Sequence, residues 1–355
     1  MGNPYSSLPR NAFWKTGIVE QSEDLIDGIY QKKFNILPKA RIATAGSCFA
    51  QHISLNLKKN GFNVYDAEPA PPGLPDYAHQ KFGYSMYSAR YGNIYTARQL
   101  LQLAQEAAGE WIPQNWIWQK NNRFFDALRP SVEPGGFSTE EEVFEHRKFH
   151  LSRVRQLFEK VDVFIFTLGL TEMWSHKSSG TVYPVAPGVL VGEFNDHVYE
   201  FQNATSDQVI SDFRKFRKTV QRIRDGKKFK IILTVSPVPL TATSSGRHVL
   251  VSNTYSKSAL RNAASCLSES RYVDYFPSYE IVTNPARFHL SFDENLRTVR
   301  QDTIDFVMRH FFAQHSPPEI KLPIKSRRRK KSKLLQSKTI EEIHCEEALL
   351  EAFGE

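Results

Sequence analysis

The chain has 355 residues, of which 41% are hydrophobic and 24% are charged, and its formal net charge is +8. This length and composition are ordinary for a soluble globular protein with a large core. No apolar run approaches the ~20 residues that span a bilayer. The three cysteines do not suggest a disulfide scaffold, and no metal-type spacing links them. We see no secretory leader, and we expect a cytoplasmic protein.

The first predicted strand covers residues 40–45 and ends in the turn Gly46-Ser47, and a helix follows over residues 49–59. Apolar spacing and stop signals predict the remaining elements in alternation. The predicted helices cover 96–108, 138–159, 207–224, 253–266 and 298–312. Ser138 and Glu141 are predicted to form a capping box at the start of the helix over 138–159. The predicted strands cover 160–170, 229–235 and 273–276. This alternation predicts an α/β fold with a mainly parallel sheet and helices on both faces.

Two segments interrupt the alternation. Residues 109–137 are rich in Trp, Pro and Gly and predict a loop-rich insertion, whereas residues 180–201 predict strand-like hairpins. Both are expected to cover the carboxyl edge of the sheet and to shape a pocket there.

The excess positive charge belongs to the C-terminal tail, because residues 320–333 carry eight Lys and Arg and no acidic residue. We interpret residues 317–338 as a basic disordered linker and residues 339–355 as a short acidic amphipathic helix or a disordered tail. The alternative for the basic run 325–333 is weak, salt-sensitive contact with nucleic acid or an anionic membrane surface.

Ser47 is the main candidate for catalysis, since it stands where the first strand ends and a helix begins. A side chain at this junction leaves the carboxyl edge of the sheet and faces the first N–H groups of the helix. The alternative is a helix-capping serine. Cys48 is a second potential nucleophile, although a buried core residue is the more common role of such a cysteine.

Several ordered blocks resemble those of the GSCFA family, which is similar to the SGNH (GDSL-type) hydrolases. The blocks lie at residues 3–5, 46–50, 88–96, 167–172, 234–239, 255–258 and 275–280. The resemblance implies a three-layer α/β/α sandwich over residues 1–316, with a nucleophile after the first strand.

The same resemblance implies roles for individual residues. Ser47 fills the nucleophile position, and Gly92-Asn93 resembles the block that helps to hold the oxyanion. Thr171 and Glu172 stand where the hydrolases carry Asn and Asp. The hydrolases also carry a histidine before the last helix, but Arg297 stands here, and an arginine cannot accept the proton of a serine.

Either the proton acceptor comes from elsewhere, or the site does not hydrolyse esters in this way. His248 and His289 are the histidines that we place near the carboxyl edge, and the alternative that the site uses neither of them stays open. Glu172 could orient a histidine or bind substrate, or it could be an ordinary carboxylate in the first turn of a helix. Arg90 and Arg129 could clamp an anionic substrate or act as structural ion-pair partners.

These observations predict a serine-dependent esterase or O-acyltransferase that acts on an acylated carbohydrate or a related small molecule. We expect neither a cofactor nor a metal. The alternative is a non-catalytic module that binds a glycan or a nucleotide-linked ligand.

Overall fold

The computed structural model describes residues 3–21, 25–318 and 346–354. In chain order, its strands are β1 (Ile42–Gly46), β2 (Ile117–Lys120), β3 (Arg123–Asp126), β4 (Val163–Leu168), β5 (Glu172–His176), β6 (Val182–Tyr183), β7 (Tyr199–Asn203), β8 (Lys230–Val235) and β9 (Val273–Tyr275). Its α-helices are α1 (Phe49–Lys59), α2 (Asp76–His79), α3 (Ala97–Ala108), α4 (Glu140–Lys160), α5 (Ser206–Ile223), α6 (Val249–Ser268), α7 (Ser278–Val282), α8 (Phe288–Ser291) and α9 (Gln301–Gln314).

Four strands form the central sheet, in the order β1-β4-β8-β9, and every neighbouring pair is parallel. In this register Gly46 lies opposite Thr167, which lies opposite Thr234. Because all four strands run the same way, their carboxyl ends meet at one edge. Ser47 leaves the sheet at that edge.

Helices cover both faces of this sheet. Phe164 and Phe166 of β4 pack in one apolar cluster with residues of α3, α4, α5 and α6. Val163 and Ile165 of the same strand pack in a second cluster with α1, α7 and α9. Since successive side chains of a strand point to opposite faces, burial on both sides requires the continuous apolar run seen in the sequence. The predicted α/β fold with a parallel sheet between helices is confirmed.

The two interrupting segments form their own small sheets. Strands β2 and β3 pair as an antiparallel hairpin within residues 109–137, and β5 pairs with both β6 and β7. The ring of Trp118 in the hairpin lies 4.7 Å from that of Tyr183 in the three-stranded sheet. An aromatic cluster thus joins the insertion to the hairpins.

The cap of helix α4 lies one residue later than predicted. The hydroxyl of Thr139, rather than that of Ser138, accepts the backbone N–H of Glu142 at 3.2 Å. The backbone N–H of Ser138 instead donates to the Glu142 carboxylate at 2.7 Å. The predicted box is therefore wrong by one position, because Thr-x-x-Glu and Ser-x-x-Glu overlap in this sequence.

Part of the predicted tail lies outside the described residues. This holds for most of the linker 317–338, for the whole basic run 325–333 and for the first part of 339–355. The described end, Glu346–Phe353, is a 3₁₀ helix that packs on the main domain. Within the described ranges, no helix is long and apolar enough to span a membrane.

A buried histidine connects α4 to the loop between α1 and α2. His150 is fully buried, and its Nδ1 lies 2.7 Å from a carboxylate oxygen of Glu68. Burial and the nearby Arg129 guanidinium lower the pKa of His150 to about 4. The folded state therefore keeps this imidazole neutral at pH values where an unfolded chain would already bind a proton.

We predict that the free energy of unfolding falls as the pH drops from 6.5 to 4. The unfolded state takes up a proton first, so the contribution of His150 is complete above pH 6.5 and is lost on the way to pH 4. For this one group the loss is on the order of 3 kcal/mol. In urea titrations at several pH values, His150→Gln should flatten this slope, while His197→Gln, at a side chain that is 93% exposed, should not. Equal slopes in all three proteins would contradict the assignment.

Candidate active site

The turn after β1 brings two strand ends unusually close. Gly46 has a φ of 141°, and a Cβ atom there would lie 2.5 Å from the backbone oxygen of Thr167. Only glycine fits such a position. The backbone N–H of Ser47 then donates to the same Thr167 oxygen at 3.3 Å, which fixes the start of the turn.

Ser47 does not cap α1. The helix begins at Phe49 with Cys48 at the cap position and without a side-chain cap, and Ser47 contributes only its carbonyl, which accepts the N–H of Ala50 at 2.8 Å. The Ser47 hydroxyl is buried, and it has no hydrogen-bond partner among the described residues. The capping alternative is wrong, and the hydroxyl has no structural task that the fold shows.

Gly169 packs directly on Ser47 from the end of β4. A Cβ atom at Gly169 would lie 2.9 Å from the Cβ of Ser47 and 3.1 Å from the backbone oxygen of Tyr95. The carbonyl of Gly169 accepts a hydrogen bond from the buried Lys257 amine at 2.9 Å. Gly169 thus neighbours both the serine and a buried amine that the sequence patterns did not single out.

Asn93 presents a fixed amide donor at this edge. Its Oδ1 accepts hydrogen bonds from the Tyr87 hydroxyl and from Gln51 Nε2, the latter at 3.3 Å. The Tyr87 hydroxyl also lies 3.1 Å from the carbonyl of Ser47, which links Asn93 to the turn. Because the side-chain oxygen is occupied in this network, the Nδ2 group points the other way and donates to Glu346.

Other buried hydroxyls at the same strand ends also have no partner within the described part of the chain. They belong to Thr167, near the end of β4, and to Thr171. The hydroxyl of Thr44, in the middle of β1, also lacks a partner among the described residues. Thr171 is anchored through its backbone, whose N–H donates to the Ser256 hydroxyl at 3.1 Å. Polar groups that are buried without partners are rare in folded proteins, and such groups at one edge are typical of a site that meets a ligand.

A cleft of about 140 Å³ opens beside this edge. The aromatic side chains of Trp174, Tyr183 and Phe201 form one wall, and the loop after β8 forms the other with Leu240 and Thr243. The expectation that residues 180–201 help to shape a pocket agrees with this lining.

Glu172 lines the cleft and is 9% exposed. Burial raises the pKa of its carboxyl group, although the Thr243 hydroxyl donates to it at 2.7 Å. Glu172 is the first residue of β5, so it does not occupy the first turn of a helix. Its contacts place it at the cleft rather than beside a histidine.

The two candidate histidines do not meet the Ser47 hydroxyl. His248 is exposed at the start of α6, where its Nδ1 accepts the backbone N–H of Leu250 at 3.2 Å. His289 is also exposed, in the short helix α8. Their assignment as proton acceptors stays a prediction that this arrangement does not support.

Arg90 and Arg129 lie inside the fold. Both guanidinium groups contact the ring of His146 at 2.9 Å, and they pair with Glu133 and Asp126, respectively, at 2.7 Å. Each arginine is 2% exposed. These contacts agree with the role of structural ion-pair partners rather than with a clamp for an anionic substrate. Neither side chain lines the cleft beside Glu172.

The sequence model of the GSCFA family matches residues 41–311, which include β1, the turn at Ser47, Asn93 and the closing helix α9. The chain belongs to the GSCFA family. No curated protein matches it. In the ranges that the structure of this GSCFA protein describes, no group of three His, Cys, Asp or Glu side chains is placed to hold a metal ion.

We predict that Gly169→Ala destabilises the protein by about 1–3 kcal/mol, because the added methyl group must push Ser47 or the Tyr95 backbone away. Gly135→Ala is the matched control, since a Cβ atom there meets nothing within 4 Å. Urea unfolding of both variants measures the difference. Equal stability of the two variants would show that the edge is more loosely packed than these distances imply.

Proposed function

We propose that this GSCFA protein is a serine-dependent esterase or O-acyltransferase of the SGNH type, with Ser47 as its nucleophile. The observation that carries the proposal is the buried Ser47 hydroxyl at the turn after β1, which has no partner among the described residues. A buried hydroxyl without a partner calls for an explanation, and a catalytic role is one.

In this proposal the Ser47 oxygen attacks the acyl carbon of the substrate, and the acyl oxygen becomes negatively charged. Asn93 is suited to donate to that oxygen, because Gln51 and Tyr87 hold its amide in one orientation before the substrate arrives. The resemblance of Gly92-Asn93 to the oxyanion block of SGNH hydrolases supports the same role. An acyl-enzyme intermediate is then released by water or by a sugar hydroxyl.

Lys257 is our candidate for the proton acceptor. It is 1% exposed, and its ammonium group contacts the carbonyl of Gly169, the residue that packs on Ser47. The Lys257 amine does not contact the Ser47 hydroxyl directly, so in this role it would act through a water molecule or after a shift of its side chain. Serine with lysine is a known alternative to serine with histidine in acyl transfer.

The substrate is proposed to be an acylated carbohydrate or a related small molecule. The aromatic wall of the cleft, formed by Trp174, Tyr183 and Phe201, supports this choice. Aromatic rings present broad apolar faces with polar atoms at their edges, which suits ligands that combine both kinds of surface.

We predict that Ser47→Ala lowers turnover on a panel of acetylated sugars and nitrophenyl esters by at least about 10³-fold. It should also abolish covalent labelling by a fluorophosphonate. Ser54→Ala is the matched control, because Ser54 is another buried serine of the same region whose hydroxyl has no partner within the described residues. Labelling that persists in Ser47→Ala would remove the proposed nucleophile.

We predict that Lys257→Met lowers the same turnover by about 10²–10⁴-fold, the usual loss for a general base. His248→Ala should leave turnover unchanged, because this exposed histidine contacts only the start of α6. Thermal unfolding of each variant controls for damage to the fold. A loss of turnover in His248→Ala alone would contradict the role of Lys257 and identify His248 as the proton acceptor.

The second candidate function is non-covalent ligand binding by the same cleft. It is favoured by the lack of any described histidine at the Ser47 hydroxyl. A glycan that raises the melting temperature equally in the native protein and in Ser47→Ala, without being turned over, would support this function.

A further inference from the structure

The carboxylate of Glu346, near the end of the chain, lies in the candidate active site. Glu346 is 2% exposed, although it lies more than 200 residues from its contacts in the sequence. Its Oε2 accepts hydrogen bonds from Asn93 Nδ2 and from the Tyr95 hydroxyl, the latter at 2.9 Å. Its Oε1 accepts the Ser131 hydroxyl at 2.6 Å.

The rest of the terminal 3₁₀ helix follows the same edge of the sheet. Leu350 lines the cleft that also contains Glu172 and Trp174. Glu351 forms an ion pair with Arg297 at 2.6 Å. The helix therefore places a carboxylate at Asn93 and an apolar side chain in the neighbouring cleft.

Among the described residues, the groups that donate to Glu346 are an amide, a phenol and an alcohol. None of these donors is charged, so none of them forms an ion pair with the carboxylate. Neutral donors suit an acyl group, because the carbonyl oxygen of an ester and both oxygens of a carboxylate product accept hydrogen bonds at a planar carbon. In this arrangement the Glu346 carboxylate stands in for the acyl group of a substrate or for its acid product.

We infer that Asn93, Tyr95 and Ser131 form the binding site for the acyl group of the ligand, and that Glu346 occupies this site as a tethered competitor. The inference rests on the proposed function for the identity of the ligand as an ester or its carboxylic acid. The occupied site is closed to substrate, and a ligand must displace the terminal helix to reach Ser47.

The covalent link to the main domain makes this competition effective. A tethered group acts at an effective concentration on the order of 1 mM, so contacts with a dissociation constant below about 1 mM keep the site mostly filled. The burial of Ser47, which is 3% exposed, is then a property of the occupied state. Displacement of the helix uncovers the donors at Asn93 and Tyr95 together.

The test compares the full-length native protein with Glu346→Ala. Hydrogen-exchange mass spectrometry of residues 347–354 reports whether the helix is docked, and the rate of fluorophosphonate labelling at Ser47 reports whether the site is open. We expect faster exchange and about tenfold faster labelling in Glu346→Ala. Leu349→Ala is the matched control in the same helix, since Leu349 is 43% exposed and should change neither readout.

Each result has a defined meaning. Unchanged exchange in Glu346→Ala, or faster exchange with unchanged labelling of Ser47, would overturn the inference. If Ser47 is labelled in no variant, the proposed catalytic function fails. The inference about Glu346 is then tested only by the effect of acetate on thermal stability. Acetate, compared with chloride at equal ionic strength, should then raise the melting temperature of Glu346→Ala but not of the double variant Glu346→Ala/Asn93→Ala. If acetate changes the melting temperature of neither variant, the inference is overturned.

Discussion

The candidate site depends on how closely the ends of β1 and β4 approach each other. Gly46 leaves no space for a side chain beside Thr167, and Gly169 leaves none beside Ser47. The two glycines allow the Ser47 Cβ to lie close to the end of β4, so the hydroxyl has a defined position at the carboxyl edge. This is the edge where open α/β sheets usually bind ligands, because the strand ends and the helix N-termini meet there.

A second layer of interactions fixes the loop that carries Asn93. The buried carboxylate of Glu68 accepts the backbone N–H of Arg90 at 2.9 Å and also contacts His150 of α4. The Arg90 side chain then pairs with Glu133. Arg90 and Glu68 are buried charges that pair with Glu133 and with Arg129, respectively, so the cost of removing them from water is offset only in one geometry. That geometry places Asn93 beside the turn at Ser47.

The sequence predicted the features that depend on neighbouring residues. Helix α1 has the predicted bounds, and the strand before it ends at Gly46, because local apolar spacing and a glycine turn define both. The buried roles of Arg90 and Arg129 were open, since nothing local shows which acid a long side chain will meet. Glu346 could not be predicted as part of the site, because its contacts join segments that no short pattern relates.

The central claim is that Ser47, Asn93 and Glu346 share one acyl-binding site. A crystal structure of the protein after reaction with a fluorophosphonate tests it most directly. The account predicts density that joins phosphorus to Ser47 Oγ, a phosphoryl oxygen at about 3 Å from Asn93 Nδ2, and Glu346 displaced from that atom. An unmodified Ser47 with an adduct elsewhere, or an adduct on Ser47 with Glu346 still bound to Asn93, would contradict it.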